Sequence, residues 1–480
     1  MHSLISRNGL LAVAVALTAA VWAPTATAKT FVVDDPTDPE VGDCNVAGSC
    51  TLRQAILEAV AFPGRDVITF DPAVFPPGAP GTIRVVSPLP IIADPAGTAI
   101  DGTGAGVRIS SDIPVDDDAI APNGLVFASA PGVPLRDAAV TNVTVAGFES
   151  SGVVICGGAF PECNEDVVAP VVRRVTARFN SGIGILVLGQ NVTKARIDES
   201  VAADNDTGVL LNALGTIAGT RITRSAMKEN EFAGIWIGPL TGTIADLAIT
   251  DTSASHGAAA IIVSAVEDAA KVSLANVAVS ESEGIGILLN AITMSALSVT
   301  NVVASRNANH GLYVGADALS GLVLKDVVTN GNQHGVWVQS GGVVGAKISQ
   351  VTAAGNDANG VLLSNLKGGK LSRVAAVGNG AHGLVLTGSG NVLKQVRAAE
   401  NIGDGIHLGS PGGANTVTDV SGTANQGAGI YVAADSVGNT IKKNVALGSD
   451  AIDLFDANVS CGANVWKGNV FERRNDSCIR

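Results

Sequence analysis

One phrase recurs along this chain: Asn, two or three spacers, Gly, then apolar–any–apolar. It appears as Asn205-Asp-Thr-Gly208-Val-Leu-Leu, Asn230-Glu-Phe-Ala-Gly234-Ile-Trp-Ile, Asn307-Ala-Asn-His-Gly311-Leu-Tyr-Val and Asn332-Gln-His-Gly335-Val-Trp-Val. It returns at Gly360, Gly383, Gly405 and Gly429, with degenerate copies at Gly182, Gly257 and Gly284, and successive glycines lie 22 to 27 residues apart. Each copy is followed by a second alternating segment, such as Arg221-Ile-Thr-Arg-Ser-Ala or Lys347-Ile-Ser-Gln-Val. One period therefore holds two or three short strands and has no room for a helix of about ten residues. A short strand cannot bury its apolar side alone. Stacking one period on the next, about 4.8 Å apart, pairs every strand and closes a thin continuous core. The expected architecture is an all-β parallel β-helix solenoid of roughly 11–13 coils. The recurring Asn is expected to take a left-handed bend and to hydrogen-bond to the Asn one coil away. Gly is expected to supply a second unusual backbone angle at the next corner.

The ends read differently. Arg7, the apolar run Leu10 to Val21 and Ala26-Thr27-Ala28 form an export leader over 1–28. No second apolar stretch of spanning length follows, so a secreted or cell-surface location is expected. The chain carries a formal −13, which becomes −14 once Arg7 leaves with the leader. That balance argues against a nucleic-acid partner. Six cysteines fall into three local pairs, Cys44/Cys50, Cys156/Cys163 and Cys461/Cys478. Six allow 15 connectivities, and close spacing in an oxidising compartment favours the local ones. Thr51-Leu-Arg-Gln54 is a capping box that opens a short N-terminal helix through Val60, expected to plug the end of the core. The divisions read as leader 1–28, N-terminal cap and irregular coils 29–122, repeats 123–450 and C-terminal cap 451–480. No cofactor is required; Ca2+ is the one ion considered, at Asp116-Asp-Asp118, which reads more simply as a solvated loop.

Cys44…Cys50-Thr-Leu-Arg-Gln-Ala-Ile resembles the N-terminal Cys-Ser/Thr-Leu-Arg motif of secreted bacterial right-handed parallel β-helix repeat proteins of the pectin-lyase-like superfamily. Thr98-Ala-Ile-Asp-Gly-Thr-Gly104 is similar to their first coil. The stretch from Asp450 through Cys461 and Trp466 to Cys478 is similar to their C-terminal end. The resemblance implies a right-handed solenoid. It leaves activity open, because that superfamily contains lyases, hydrolases, epimerases and adhesins.

In each Gly–apolar–any–apolar strand the middle residue should face outward. Those residues are Leu210, Trp236, Gly286, Tyr313, Trp337, Leu362, Val385, His407 and Tyr431. The chain beyond the leader has three Trp and two Tyr, and four of the five fall in this column, Trp466 being the exception. Trp236, Tyr313, Trp337, His407 and Tyr431 are thus the candidate face for stacking on sugar rings, with a polysaccharide or cell-surface polymer as partner. Mutual aromatic stacking, or cover by a loop or a second subunit, is the competing account; the oligomeric state is open. A second column, His310, His334, Asn359, His382 and Asp404, offers metal or acid–base chemistry, but reads more simply as corner positions that tolerate positive φ. No catalytic set can be assembled. Glycan hydrolysis needs two carboxylates about 5–9 Å apart, and the outward column holds none. No base with clustered calcium-binding acids is visible, and the arginines such as Arg173, Arg221, Arg306 and Arg373 read as solvated. Non-catalytic binding is therefore favoured over a polysaccharide lyase, hydrolase or epimerase, and over a purely structural or adhesive role.

Overall fold

The structure is a computed structural model that describes residues 28–94, 97–113 and 122–480. The leader at 1–28, apart from Ala28, and the acidic run Asp116–Asp118 lie outside the described residues. The fold is an all-β right-handed parallel β-helix of about 15 turns. This exceeds the expected number of coils because winding begins at once: Thr30–Val33 pairs in parallel with Val67–Phe70, and Val67–Phe70 with Ala99–Asp101. The short strands Gly81–Val85 and Val107–Ser111 sit among Pro- and Gly-rich turns and carry no Asn–Gly phrase to mark them.

Each turn runs through three main parallel ladders and a shorter fourth. In one coil these are Thr207–Ala213, Ile217–Ala218, Arg221–Thr223 and Ala226–Lys228. Alternation puts one apolar file from each ladder inside. One file runs Ile197, Ile222, Ile249, Leu274, Val299, Leu324 and onward in register, every member as far as Ile441 1% exposed or less.

The corner after the fourth strand departs from expectation in an informative way. Asn205, Asn230, Asn332, Asn356, Asn379, Asn401 and Asn425 are all buried. Each Asn accepts at Oδ1 from the backbone N–H and the amide of the Asn one coil earlier, as Asn356 does from Asn332 at 3.0 and 3.2 Å. The stacked amides were expected; the backbone conformation was not. The left-handed bend belongs to the residue before each Asn, for example Asp204, Glu229, Gly331, Gly355 and Glu400. The recurring glycine of the full phrase, from Gly208 to Gly429, has ordinary φ and its role is steric; Gly257, read as a degenerate copy, instead stands at the Asn position with φ 77°. A Cβ on Gly335 would lie 2.5 Å from the Gly360 carbonyl oxygen and 2.9 Å from Asn356 Nδ2. Coils can approach at this corner only because nothing projects there.

Both ends are closed. The helix Leu52–Ala61 starts at Thr51, whose hydroxyl accepts from the Gln54 N–H at 3.1 Å. The reciprocal half of the capping box does not form, because the Gln54 amide donates to Glu58 at 3.0 Å. Leu52, Ala55, Ile56 and Ala59 are fully buried over the first coils. At the other end Trp466 lies at the end of the core file, and its indole N–H donates to buried Asp456 at 2.8 Å. The six cysteines pair locally as Cys44–Cys50, Cys156–Cys163 and Cys461–Cys478. Among the described residues no helix is long and apolar enough to cross a membrane.

Candidate functional site

The outward file of the ladder that contains Thr207–Ala213 is the feature that sets this solenoid apart chemically. In register it reads Val126, Val154, Leu186, Leu210, Trp236, Ile262, Leu288, Tyr313, Trp337, Leu362, Val385, His407, Tyr431 and Phe455. An outward sheet face exposed to water is ordinarily polar; this one is apolar or aromatic on every coil. The position assigned to Gly286 belongs to Leu288, because Gly286 is the corner residue beside Gly311. The slip came from reading Gly284 as the corner in a coil where Ser282 replaces the guiding Asn. Ile262, Leu288 and Phe455 were missed, the last because Asp453 stands where the phrase has Gly.

The first rungs are roofed. The disulfide loop from Cys156 to Cys163 folds back so that Phe160 and the cystine pack on Val126, Val154 and Leu186. Beyond Leu210 the file lies half-exposed. Tyr313 and Trp337 meet edge to face with ring centroids 5.4 Å apart, and His407 lies flat on Tyr431 at 4.6 Å. Tyr431 in turn stacks on Phe455 at 5.1 Å. Trp236 stands apart, with Phe232 beside it at 5.3 Å.

The pre-glycine file is not a run of positive-φ corners: none of His310, His334, Asn359, His382 and Asp404 has positive φ. Most of its members cap coil to coil. His334 Nδ1 accepts from the Asn359 N–H (3.3 Å), Asn359 Oδ1 from the His382 N–H (3.0 Å) and His382 Nδ1 from the Asp404 N–H (2.9 Å). Asp404 Oδ1 accepts from the Ala428 N–H at 2.7 Å. Asp404 Oδ2 also meets His407 Nδ1 at 2.8 Å. Burial pushes the Asp404 carboxyl up, but the neighbouring His382 and His407 rings and the Ala428 N–H outweigh it and hold the group below the usual carboxylate range. His382, Asp404 and His407 are the described residues that could hold a metal, with donor atoms within 4.8 Å of one another. His382 Nδ1, both Asp404 oxygens and His407 Nδ1 already serve the hydrogen bonds just given.

Beside the aromatic file, where its ladder turns into the short ladder of Ile217–Ala218, runs an open groove of about 690 Å³. Tyr313 forms one wall, and its hydroxyl donates to Gln339 Oε1 at 3.0 Å. Asn290, Asp317, Ser264 and Ser364 line the rest, over a floor that includes Ala291, Gly315 and Ala316. A second hollow of about 490 Å³ shares Gly341 and Asn365 with the first and continues past Lys367, Gly388 and Gly412 to Val437. Of the five candidate rings only Tyr313 lines the groove; Trp337 adjoins it, and Trp236, His407 and Tyr431 do not. No sequence signal pointed to the groove, because it arises from small, hydroxyl and amide residues at the end of the aromatic file's ladder and in the turn that follows. The arginines are less free than expected. Arg221 pairs with Asp246 at 2.9 Å and Arg306 with Glu281 at 2.5 Å, while Arg373 bonds Gln350 at 3.2 Å.

Residues 339–479 match the family described as "Right handed beta helix region". No curated protein matches the chain. Among solved structures, the Dettilon tailspike protein is similar at 13% identity and a TM-score of 0.40, over 79% of this chain and 69% of the other. The A-module of mannuronan C-5 epimerase AlgE4 from Azotobacter vinelandii is similar at 14% identity and a TM-score of 0.38, over 94% and 100%. The surface adhesin PfbA of Streptococcus pneumoniae is similar at 10% identity and a TM-score of 0.32, over 82% and 90%. Likeness at this level says nothing of what this chain binds.

Proposed function

We propose that the protein, exported behind the leader at 1–28, binds an extracellular polysaccharide along the groove and the aromatic file beside it. The observation that carries this reading is Tyr313. Its ring stands at the lip of an open groove whose Asn290 and Asp317 side chains make no hydrogen bond among the described residues. An aromatic face beside unengaged amide, hydroxyl and carboxylate groups suits a pyranose, which is apolar on its ring face and hydroxylated at its rim.

The test is the double variant Tyr313→Leu, Trp337→Leu. Leu already occupies this file at Leu288 and Leu362, so the coil packing tolerates it. Binding of the polymer selected on a glycan array should weaken by about tenfold or more, roughly 1.4 kcal/mol, with the melting temperature nearly unchanged. Unaltered binding by the double variant would end the proposal.

A second reading, a polysaccharide lyase, hydrolase or epimerase, is favoured by the Asp404–His407 contact. A carboxylate on Nδ1–H orients the imidazole and leaves Nε2 as an acceptor, the arrangement of a general base. It is decided by incubating the bound polymer and examining it for shortened, unsaturated or epimerised products that disappear with His407→Gln.

A further inference from the structure

The groove's chemistry restricts which polymer it can take, given that it binds one at all, as proposed above. From Ser264 to Val437 it crosses eight successive coils, at Ser264, Asn290, Gly315, Gln339, Ser364, Gly388, Gly412 and Val437. At about 4.8 Å per coil its length is about 34 Å, which suits a linear chain laid along the solenoid axis. Its polar lining is almost wholly neutral: hydroxyls of Ser264 and Ser364, and amides of Asn290, Gln339 and Asn365. Tyr313 donates to Gln339 Oε1, which leaves the Gln339 amide hydrogens free to donate outward. Asn365 spends its amide on the Ser340 carbonyl at 2.9 Å and leaves Oδ1 as an acceptor. The wall thus offers a polyol both a donor, at Gln339, and an acceptor, at Asn365.

Charge is nearly absent, one group of each sign, and the larger hollow's is of the wrong sign for an acidic polymer. The larger hollow has one charged group, Asp317, and no cation; the second has Lys367 alone. A polyuronate brings a carboxylate on every ring. Holding it needs basic side chains, or divalent cations shared with several protein carboxylates. One carboxylate and one lysine on different coils supply neither, and the surrounding field of a chain with net charge −13 opposes approach.

We infer that the groove selects an uncharged polysaccharide and discriminates against polyuronates. Its experiment compares soluble glucan, mannan and xylan with polygalacturonate and polymannuronate of matched length, by calorimetry at low and high salt, with and without Ca2+. At least one uncharged chain binds, with an affinity that salt hardly alters, and the polyuronates bind tenfold or more weakly under every condition. Asp317→Lys narrows that gap at low salt, and salt restores it. A polyuronate that binds as tightly as the best uncharged chain overturns the inference; if the Tyr313→Leu, Trp337→Leu variant abolishes that binding, the proposed function stands without it. Failure of both classes to bind overturns both.

Discussion

At the scale of single residues, His310 shows how this surface differs from an ordinary outer sheet. It is 7% exposed, stacks on Tyr313 at 5.6 Å and meets Trp337 edge-on at 4.8 Å. Its Nδ1 has no hydrogen-bond partner. Burial first, and the neighbouring His334 second, push its pKa down from 6.5 to about 4. The unfolded chain therefore takes up this proton near pH 6.5, whereas the folded chain resists it until about pH 4. This contribution to stability is complete above pH 6.5, is lost as the pH falls towards 4, and does not change further below that. His310→Asn introduces a residue the same file already holds at Asn359. The fall in denaturation midpoint between about pH 7 and about pH 4.5 should be smaller in this variant than in the parent. Parallel profiles for the two proteins would show that His310 does not set the slope.

At the scale of elements, the N-terminal helix depends on one buried ion pair. Arg53 on the helix donates to both oxygens of Asp38 at 2.9 and 2.8 Å, and to the Ser87 and Pro88 carbonyls at 2.7 and 2.8 Å. Asp38 also accepts from the Val86 N–H at 3.1 Å. One guanidinium thus ties the helix, the strand-to-loop segment at Asp38 and the turn after Gly81–Val85 into a single lid. Arg53→Met keeps the stem but leaves the buried Asp38 carboxylate with the Val86 N–H as its one remaining donor, and takes this donor from the Ser87 and Pro88 carbonyls. The expected loss is about 3–5 kcal/mol, with new protease cleavage confined to the region before Phe70; Arg53→Met, Asp38→Asn should recover part of it. An unchanged urea midpoint in the single variant would contradict this account. The element scale also shows where sequence is legible. The lid, the ladders and the aromatic file could be read because alternation and the Asn–Gly phrase are local signals. The Leu288 register slipped where Ser282 interrupts that phrase. The groove stayed hidden because Asn290, Asp317, Gln339 and Asn365 share no motif and meet only when coils of unequal length stack.

At the scale of the whole molecule, each coil touches only the one before and the one after, so stability accumulates as nearest-neighbour terms along one axis. The buried Asn file is the strongest directional link in that chain of contacts, and it is already divided. Asn180, Asn205 and Asn230 form one run and Asn307 to Asn425 another, with Gly257 and Ser282 at the same position of the two coils between them. The second run spans much of the groove, so the groove's straightness depends on it. Asn356→Ala would break this run at its middle. It removes the acceptor for the Asn332 N–H and amide, and the donor to the Thr329 carbonyl and Asn379 Oδ1. Each buried group left unpaired costs about 1–3 kcal/mol, so a total loss of about 2–5 kcal/mol is expected. Hydrogen exchange locates the effect. Protection should fall in the coils from Val327 to Val377, on either side of the break, and stay near the parental value from Ile197 to Asn230. A uniform fall along the whole chain would mean that the solenoid opens as one cooperative body. In that case the coils would be coupled over a longer range than contact between neighbours provides.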